Sequence, residues 1–425
     1  MSQYRAYPAY KDSGIEWIGQ VPEHWKVARV KRLASLRNER RNDVSTDTIY
    51  IGLEDVEAGS GQYKPTNGSS RQSEDSTVGI FYEGDVLYGK LRPYLRKAII
   101  SEMAGCCSTE FLVLRAEKTE PRWLQEWLLT PDVTHQIESG CEGAKMPRAD
   151  WGHIGSIEVV YPDQPEQAKI LTTLDRETAR IDALVEKKNR FIELLKEKRQ
   201  ALITHAVTKG LDPNVKMKDS GVEWIGLVPE HWDVKPFFAL VTELNRKNVG
   251  LVETNILSLS YGNIIQKPET RNMGLTPESY ETYQIVESGE TVFRFTDLQN
   301  DKHSLRSALV TQRGIITSAY MAVKPHSIDS TYFAWLMRSY DLCKVFYAMG
   351  GGLRQSLKFE DVRRLPVLIP PVDEQSAITN TINAGTARID ALVEKTEQSI
   401  TLLKERRAAF ITAAVTGQID LRGKQ

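Results

Sequence analysis

Cysteine is scarce and badly placed for chemistry. The four thiols, Cys106, Cys107, Cys141 and Cys343, show no CxxC spacing and two are adjacent, so neither a disulfide framework nor a zinc site is suggested. A reducing cytoplasm is the expected compartment. No apolar run approaches the ~20 residues that span a bilayer, and Met1–Pro8 lacks the apolar core of a secretory signal. Charge of one sign is missing too. Lys and Arg number 55 against 56 Asp and Glu, so any nucleic-acid surface must be a local patch and not a global excess. Catalytic signatures are equally absent. There is no GxxxxGK[ST], and Gly350–Gly352 lacks the strand–GxGxxG–helix setting of a nucleotide site. The Pro370-Pro371 pair is not in an Asp/Asn-Pro-Pro-aromatic loop of the adenine-methyltransferase kind. His24, His135, His153, His205, His231, His303 and His326 form no HExxH-type spacing, so no metal ligands are assigned. Pro162, Asp163, Glu186 and Lys188 can be forced onto a nuclease pattern, but the last two lie on a charged helix where such spacing arises by chance. No catalytic residue is expected.

What the chain does have is repetition, which should be sought before anything else. Lys11–Val27 reads KDSGIEWIGQVPEHWKV and Lys218–Val234 reads KDSGVEWIGLVPEHWDV. A long helix is also written twice, from about Glu166 to Val207 and from about Glu374 to Val415. Apolar residues Ile170, Leu174, Ile181, Leu184, Val185, Ile192, Leu195, Leu202 and Ala206 recur at helical steps, and Ile378, Ile382, Ile389, Leu392, Val393, Ile400, Leu403, Phe410 and Ala414 repeat them 208 residues later. Roughly 40 residues at 1.5 Å each make a rod on the order of 60 Å, which suits a coiled coil. Its seam is expected at Ile181, Leu184, Ile192, Leu195, Ile389, Leu392, Ile400 and Leu403. The expected fold class is α+β, two mixed α/β globular domains joined by two long antiparallel coiled-coil helices in a pseudo-twofold tandem repeat. The segments are 1–163 (globular domain 1), 164–210 (helix 1), 211–371 (globular domain 2) and 372–425 (helix 2). Connectivity then holds the two globular domains at opposite ends of a rod, a dumbbell, because the second helix must run back along the first.

Within the first globular domain, β-like segments are Thr48–Leu53, Asp85–Tyr88, Ala98–Ile100, Phe111–Leu114 and Ile157–Tyr161, with one amphipathic helix over Pro121–Ile137. The second repeats the outline with Ile256–Ser260, Glu290–Phe295, Ala308–Val310, Met321–Val323 and Val367–Pro370, and a helix near Ser330–Met349. Asp163, three residues before Glu166, has capping-box spacing, and Gly210 and Gly417 stand where helix terminators do. The ends of the two domains match and their middles diverge, as expected of one frame recognising two different things. His24 and His231, duplicated inside Pro-Glu-His-Trp turns, read as structural.

Basic residues cluster locally. Arg37, Arg40 and Arg41 belong to one group; Lys90, Arg92, Arg96 and Lys97, interleaved with Tyr88 and Tyr94, to a second; Lys145 and Arg148 sit in a glycine-bearing loop. In the second domain the candidates are Arg246, Lys247, Arg294, Lys302, Arg306, Arg354, Gln355 and Lys358, with Gln299 and Asn300 as further base readers. Lys and Arg on phosphates provide affinity, while Arg, Asn or Gln at base edges discriminates. A solvated charged surface is the competing reading of each.

The KDSG-[IV]-EWIG-x-VPEHW openings, the Glu166-Gln167 and Glu374-Gln375 entries to the helices, and the duplicated TARIDALVEK stretches (Thr178–Lys187, Thr386–Lys395) resemble the specificity subunit of type I restriction–modification systems over nearly the whole chain. The resemblance implies two target-recognition domains, each reading one half of a split, asymmetric site in double-stranded DNA. It also implies two helices that fix the spacing and dock two methylation subunits. Motor-nuclease subunits complete the restriction complex. S-adenosylmethionine would belong to the methylation subunit, ATP and Mg to the motor-nuclease subunit, and no cofactor to this chain. The family offers no catalytic residue to carry over, and its base-contacting positions vary. The same architecture also suits a coiled-coil scaffold with protein-binding ends, or a self-contained nuclease–methyltransferase.

Overall fold

Eight helices order the computed structural model among its described residues, 5–45, 47–66, 76–141, 143, 145–267, 279–298, 304–349 and 356–423. They are α1 (Pro121–Leu129), α2 (Pro131–Glu138), α3 (Trp151–Ser156), α4 (Gln164–Lys209), α5 (Ser330–Leu342), α6 (Val345–Met349), α7 (Phe359–Val362) and α8 (Val372–Val415). The chain divides into two compact units, residues 1–188 with 398–425 and residues 189–397, so each long helix contributes a stretch to each. With strands and helices in both units, the fold is α+β.

In the first unit an antiparallel sheet runs Ala34–Leu36, Phe111–Ala116, Val86–Gly89, Ala98–Ile100. A second sheet runs Arg40–Arg41, Val78–Phe81, Gly105–Cys107, Tyr50–Ile51, its last pairing parallel. The second unit keeps the first of these orders, with Val241–Leu244, Met321–Pro325, Thr291–Phe293 and Ser307–Leu309. The helix expected over Pro121–Ile137 is instead two. Thr130 adopts extended backbone (ψ 141°), as a residue before proline is pushed to do, and α2 restarts at Pro131. The helix expected over Ser330–Met349 likewise breaks, at Cys343 and Lys344, where Lys344 has φ 60°.

Each globular part is fastened to its long helix by the same dipeptide. Trp25 and Trp232 are wholly buried, and an indole N–H in that position needs an acceptor. Glu166 accepts from Trp25 Nε1 (3.2 Å) and pairs with His24 Nε2 (2.7 Å); Glu374 accepts from Trp232 Nε1 (3.1 Å) and pairs with His231 (2.7 Å). Both carboxylates lie in the first helical turn, where the helix dipole favours negative charge. The following glutamine finishes the joint. Gln167 donates to Pro162 O (3.0 Å) and accepts from Thr119 Oγ1 and the Glu120 N–H; Gln375 donates to Pro370 O (2.8 Å) and accepts from the Asp329 N–H. Asp163 caps α4 through the Glu166 N–H (3.0 Å). The reciprocal half of the expected capping box is replaced, because the Glu166 carboxylate is committed to the Pro-Glu-His-Trp turn.

Inside each unit the helix halves pack antiparallel. In the first, Ile170, Leu171 and Leu174 share a core with Phe410, Ile411, Ala414 and Trp25, and Arg407 reaches Asp182 at 3.0 Å. In the second, Ile203, Ala206 and Val207 share a core with Ile378, Ile382 and Trp232, and Arg199 reaches Asp390 at 2.9 Å. These ion pairs are the same pair repeated, since Asp390 and Arg407 stand 208 residues after Asp182 and Arg199. Leu202 packs so closely over Gly385 that a Cβ there would meet its Cδ2 at 2.4 Å. Of the expected seam, Ile181, Ile192, Leu195, Ile389 and Ile400 are buried and Leu403 is half-buried. Leu184 and Leu392 are corrections, 47% and 39% exposed. Three residues past Ile181 and Ile389, they fall about 60° off the stripe, at its outer margin.

Replacing Glu166 or Glu374 with alanine strands a buried indole donor, an error that typically costs about 1–3 kcal/mol. Each variant is expected to lower the denaturant midpoint of its own unit, followed by tryptophan fluorescence; an unchanged midpoint would show that the dipeptide is not the fastening.

Candidate nucleic-acid interface

Two of the three basic groups that sequence separates in the first unit are brought together by a backbone bridge. Leu91 pairs antiparallel with Arg148, the Arg92 N–H donates to Pro147 O (2.8 Å), and the Ala149 N–H donates to Lys90 O (2.9 Å). Arg92 (φ 53°) and Arg96 (φ 47°) flank the 3-10 turn Pro93–Leu95 in left-handed backbone, a conformation costly for arginine and often kept where function needs it. Arg92, Tyr94, Lys145 and Arg148 are exposed, and Arg148 lies over the Glu110 carboxylate at 3.2 Å through two nitrogens. Lys90 is half-buried. Arg96 and Lys97 turn inward instead, donating to Leu129 O (3.5 Å) and Leu53 O (2.6 Å).

Two candidate arginines prove to be parts of the frame. Arg37 holds Asp85 through Nε (2.8 Å) and Nη2 (3.1 Å) and lies over the Tyr82 ring. Arg246 holds Glu290, and Glu287 at 3.3 Å. Asp85 and Glu290 are buried and occupy matching turns, each also accepting a backbone N–H three residues back, from Tyr82 and Glu287 (both 2.8 Å). Their arginines neutralise carboxylates that would otherwise be buried alone, so these guanidinium groups are already engaged. Arg306 is a plainer correction. It is 0% exposed, donating to Thr296 O (3.0 Å), Asp297 O (3.3 Å) and the Tyr347 hydroxyl (3.2 Å), and no DNA can reach it in this conformation.

The remaining candidates lie at the surface. Arg40 and Arg41 are exposed, Arg41 on Glu39 at 2.8 Å. Lys247 is exposed and bridges Gln284 through its backbone, as Arg40 pairs with Gly79, so Lys247 and Arg40 hold matching places. Arg294 is half-buried, and Lys358 is exposed at the start of α7. Lys302, Arg354, Gln355, Gln299 and Asn300 lie outside the described residues. Sequence reasoning passed over Asn245, Gln284 and Ser318, which line a notch of about 320 Å³ beside Lys247. Neutral residues scattered over three segments carry no pattern to find. Among the described residues no cluster of His, Cys, Asp and Glu could hold a metal, and no helix is long and apolar enough to cross a membrane.

An α+β chain with two 44- to 46-residue helices and repeated globular parts has solved counterparts in one class of assembly. A chain from work on complex assembly and conformational transition of the type I R-M system superposes with a TM-score of 0.66 at 15% identity, covering 95% of this chain and 99% of that one. The HsdS subunit from Thermoanaerobacter tengcongensis gives 0.54 at 15%, covering 94% and 98%. These likenesses establish the fold. In sequence, the putative type I restriction enzyme MjaX specificity subunit of Methanocaldococcus jannaschii is 21% identical over 434 residues, 95% of this chain and 96% of the relative. The EcoDI specificity subunit of Escherichia coli is 22% identical over 205 residues, 47% of this chain, which spans less than half (46%) of that relative. No family model matches the chain. The resemblance to type I specificity subunits read from the repeats is borne out by these relatives.

Arg92→Ala is expected to weaken DNA binding by the assembled complex evenly across sequences and to lower the salt slope by about one, without unfolding. Arg37→Ala is expected to do the reverse, costing about 1–3 kcal/mol of stability through the stranded Asp85 carboxylate. Equal effects of both on salt slope and unfolding would erase the distinction between surface and frame arginines.

Proposed function

We propose that this chain is the DNA-recognition subunit of a type I restriction–modification complex and does no bond chemistry of its own. Each globular part reads one half of a bipartite, asymmetric site, and the two long helices set the distance between the halves. The observation that carries this reading is selective duplication. The helix fastening and the antiparallel ion pair are repeated residue for residue, whereas the exposed polar surfaces differ, with Arg92, Lys145 and Arg148 in one unit and Lys247 and Lys358 in the other. A frame kept alike while its surfaces diverge suits two readers of unlike sequence.

Two methylation subunits, bringing S-adenosylmethionine, dock on the helices, and motor-nuclease subunits bring ATP and Mg. Exposed leucines support the docking. Leu184 and Leu392 are equivalent positions, as are Leu194 and Leu402, and all four present apolar side chains to solvent at 39–65% exposure. A reader whose separation is fixed by packed helices measures DNA as a dimer's geometry sets half-site spacing.

Sequencing the methylated sites of a host that carries this chain with its methylation subunit is expected to give one split motif. Transplanting residues 1–160 from a relative should change one half alone; a change in both halves, or no motif at all, would refute the reading. Inserting one helical turn into a single long helix should alter the spacer or abolish assembly, and leave both half-site sequences as they were.

A further inference from the structure

The turn Pro93–Leu95 is tied down at both ends and presents one exposed ring. Pro93 is buried beneath it. Backbone bonds pin its flanks, from the Arg92 N–H to Pro147 O (2.8 Å) and from the Gly59 N–H to Arg96 O (3.0 Å). Arg96 and Lys97 anchor the exit through Leu129 O and Leu53 O. Left-handed backbone is accepted on either side, at Arg92 and Arg96, so the chain is held in a shape it would not choose. At the crest stands Tyr94, 49% exposed, its side chain without a hydrogen bond or ring contact among the described residues. The loop paired with it repeats the combination, for Met146 is 50% exposed and flanked by Lys145 and Arg148.

The charge around this ring is of one sign. Residues 90–97 and 145–148 include no acid. Arg148 is met by Glu110, but Arg92 and Lys145 are exposed and form no ion pair among the described residues. An apolar ring set in uncompensated positive charge fits a polyanion that also offers something apolar. Phosphates satisfy the cations. The apolar group that duplex DNA displays on a base edge is the thymine C5-methyl, in the major groove.

Resting on the function proposed above, we propose that Tyr94 reads a thymine in the half-site assigned to the first unit, its ring packed on the C5-methyl in the major groove. Arg92 and Lys145 hold flanking phosphates and set how deeply the turn enters. The cations carry affinity and the ring carries discrimination.

The test uses the assembled complex of this chain with its methylation subunit, on duplexes carrying the sequenced motif. Uracil in place of thymine deletes the methyl and nothing else. At one thymine of the first unit's half-site this is expected to weaken wild-type binding about fourfold and to leave Tyr94→Ala binding where it already was. Tyr94→Phe should respond as wild type does, because the ring and not the hydroxyl makes the contact. Methylated-site sequencing of Tyr94→Ala should show that position relaxed and the second half unchanged. Its salt slope should match wild type, unlike that of Arg92→Ala. No response of the wild-type complex to uracil, at any thymine of that half-site on either strand, overturns the proposal without needing a variant to fold. Equal responses in wild type and Tyr94→Ala overturn it as well, and so does a Tyr94→Phe that behaves as Tyr94→Ala. A Tyr94→Ala loss spread evenly over all sequences marks a wedge between base pairs and also overturns it. Each of these leaves the two-reader function standing, whereas a wild-type complex with no split motif sinks that function instead.

Discussion

A carboxylate at the start of a helix, facing a tryptophan that has no other acceptor, decides where each globular part of this protein sits. The indole must be buried to complete the core, and once buried its N–H must be satisfied. Glu166 and Glu374 meet that need from the first turn of α4 and α8. The same carboxylates hold His24 and His231, and the next residue ties in the N-terminus of α1 or α5. Glu166 gains one more donor from the Tyr7 hydroxyl (3.1 Å), whose pKa burial and that carboxylate push up, so it remains protonated and donating. Three elements far apart in sequence are thus fixed to one helical turn, and the direction in which the helix leaves the globular part is fixed with them.

Charge is divided along the same lines. With positive and negative residues nearly equal in number, every arginine committed to the frame subtracts from what a nucleic acid could meet. Arg37 and Arg246 balance buried acids, Arg306 is sealed in, and Arg199 and Arg407 tie helix to helix. Of the candidate cations left at the surface, Arg92, Arg148 and Lys247 lie on short bridges and turns, which the strands position but do not bury. A neutral chain can therefore still present a local positive face.

Much of the frame was legible because it repeats. The strands Ala98–Ile100 and Phe111–Ala116 begin where alternation and turn residues placed them, and α4 and α8 follow their apolar stripes to Gly210 and Gly417, both at φ near 75°. Most of the misreadings share one cause, a local signal answered by something outside its window. Pro131 is the exception, a breaker inside the expected helix, whose apolar pattern ran on through it. Leu184 looks like seam residue because only the partner helix defines how wide the seam is. Arg306 and Lys97 read as a basic patch because the carbonyls that receive them come from other segments. Asn245 and Gln284 could not be found at all, being neutral and brought together only by strand register.

Under the proposed function, that last failure follows from what a reading surface must be. Frame positions are dictated by packing, so the same residues recur in both units and advertise themselves. A reading position is constrained by its ligand and free of the core, so it is at liberty to differ at every place the frame repeats. Gly79 and Gln284 occupy one register position in two units, and so do Arg40 and Lys247. The glycine makes no side-chain contact and the glutamine lines the notch beside Lys247, on backbones paired alike. Comparing the units position by position against shared strand pairings therefore separates the two kinds of residue. Where they agree, the protein is holding itself together; where they disagree on a common scaffold, it is free to recognise something else.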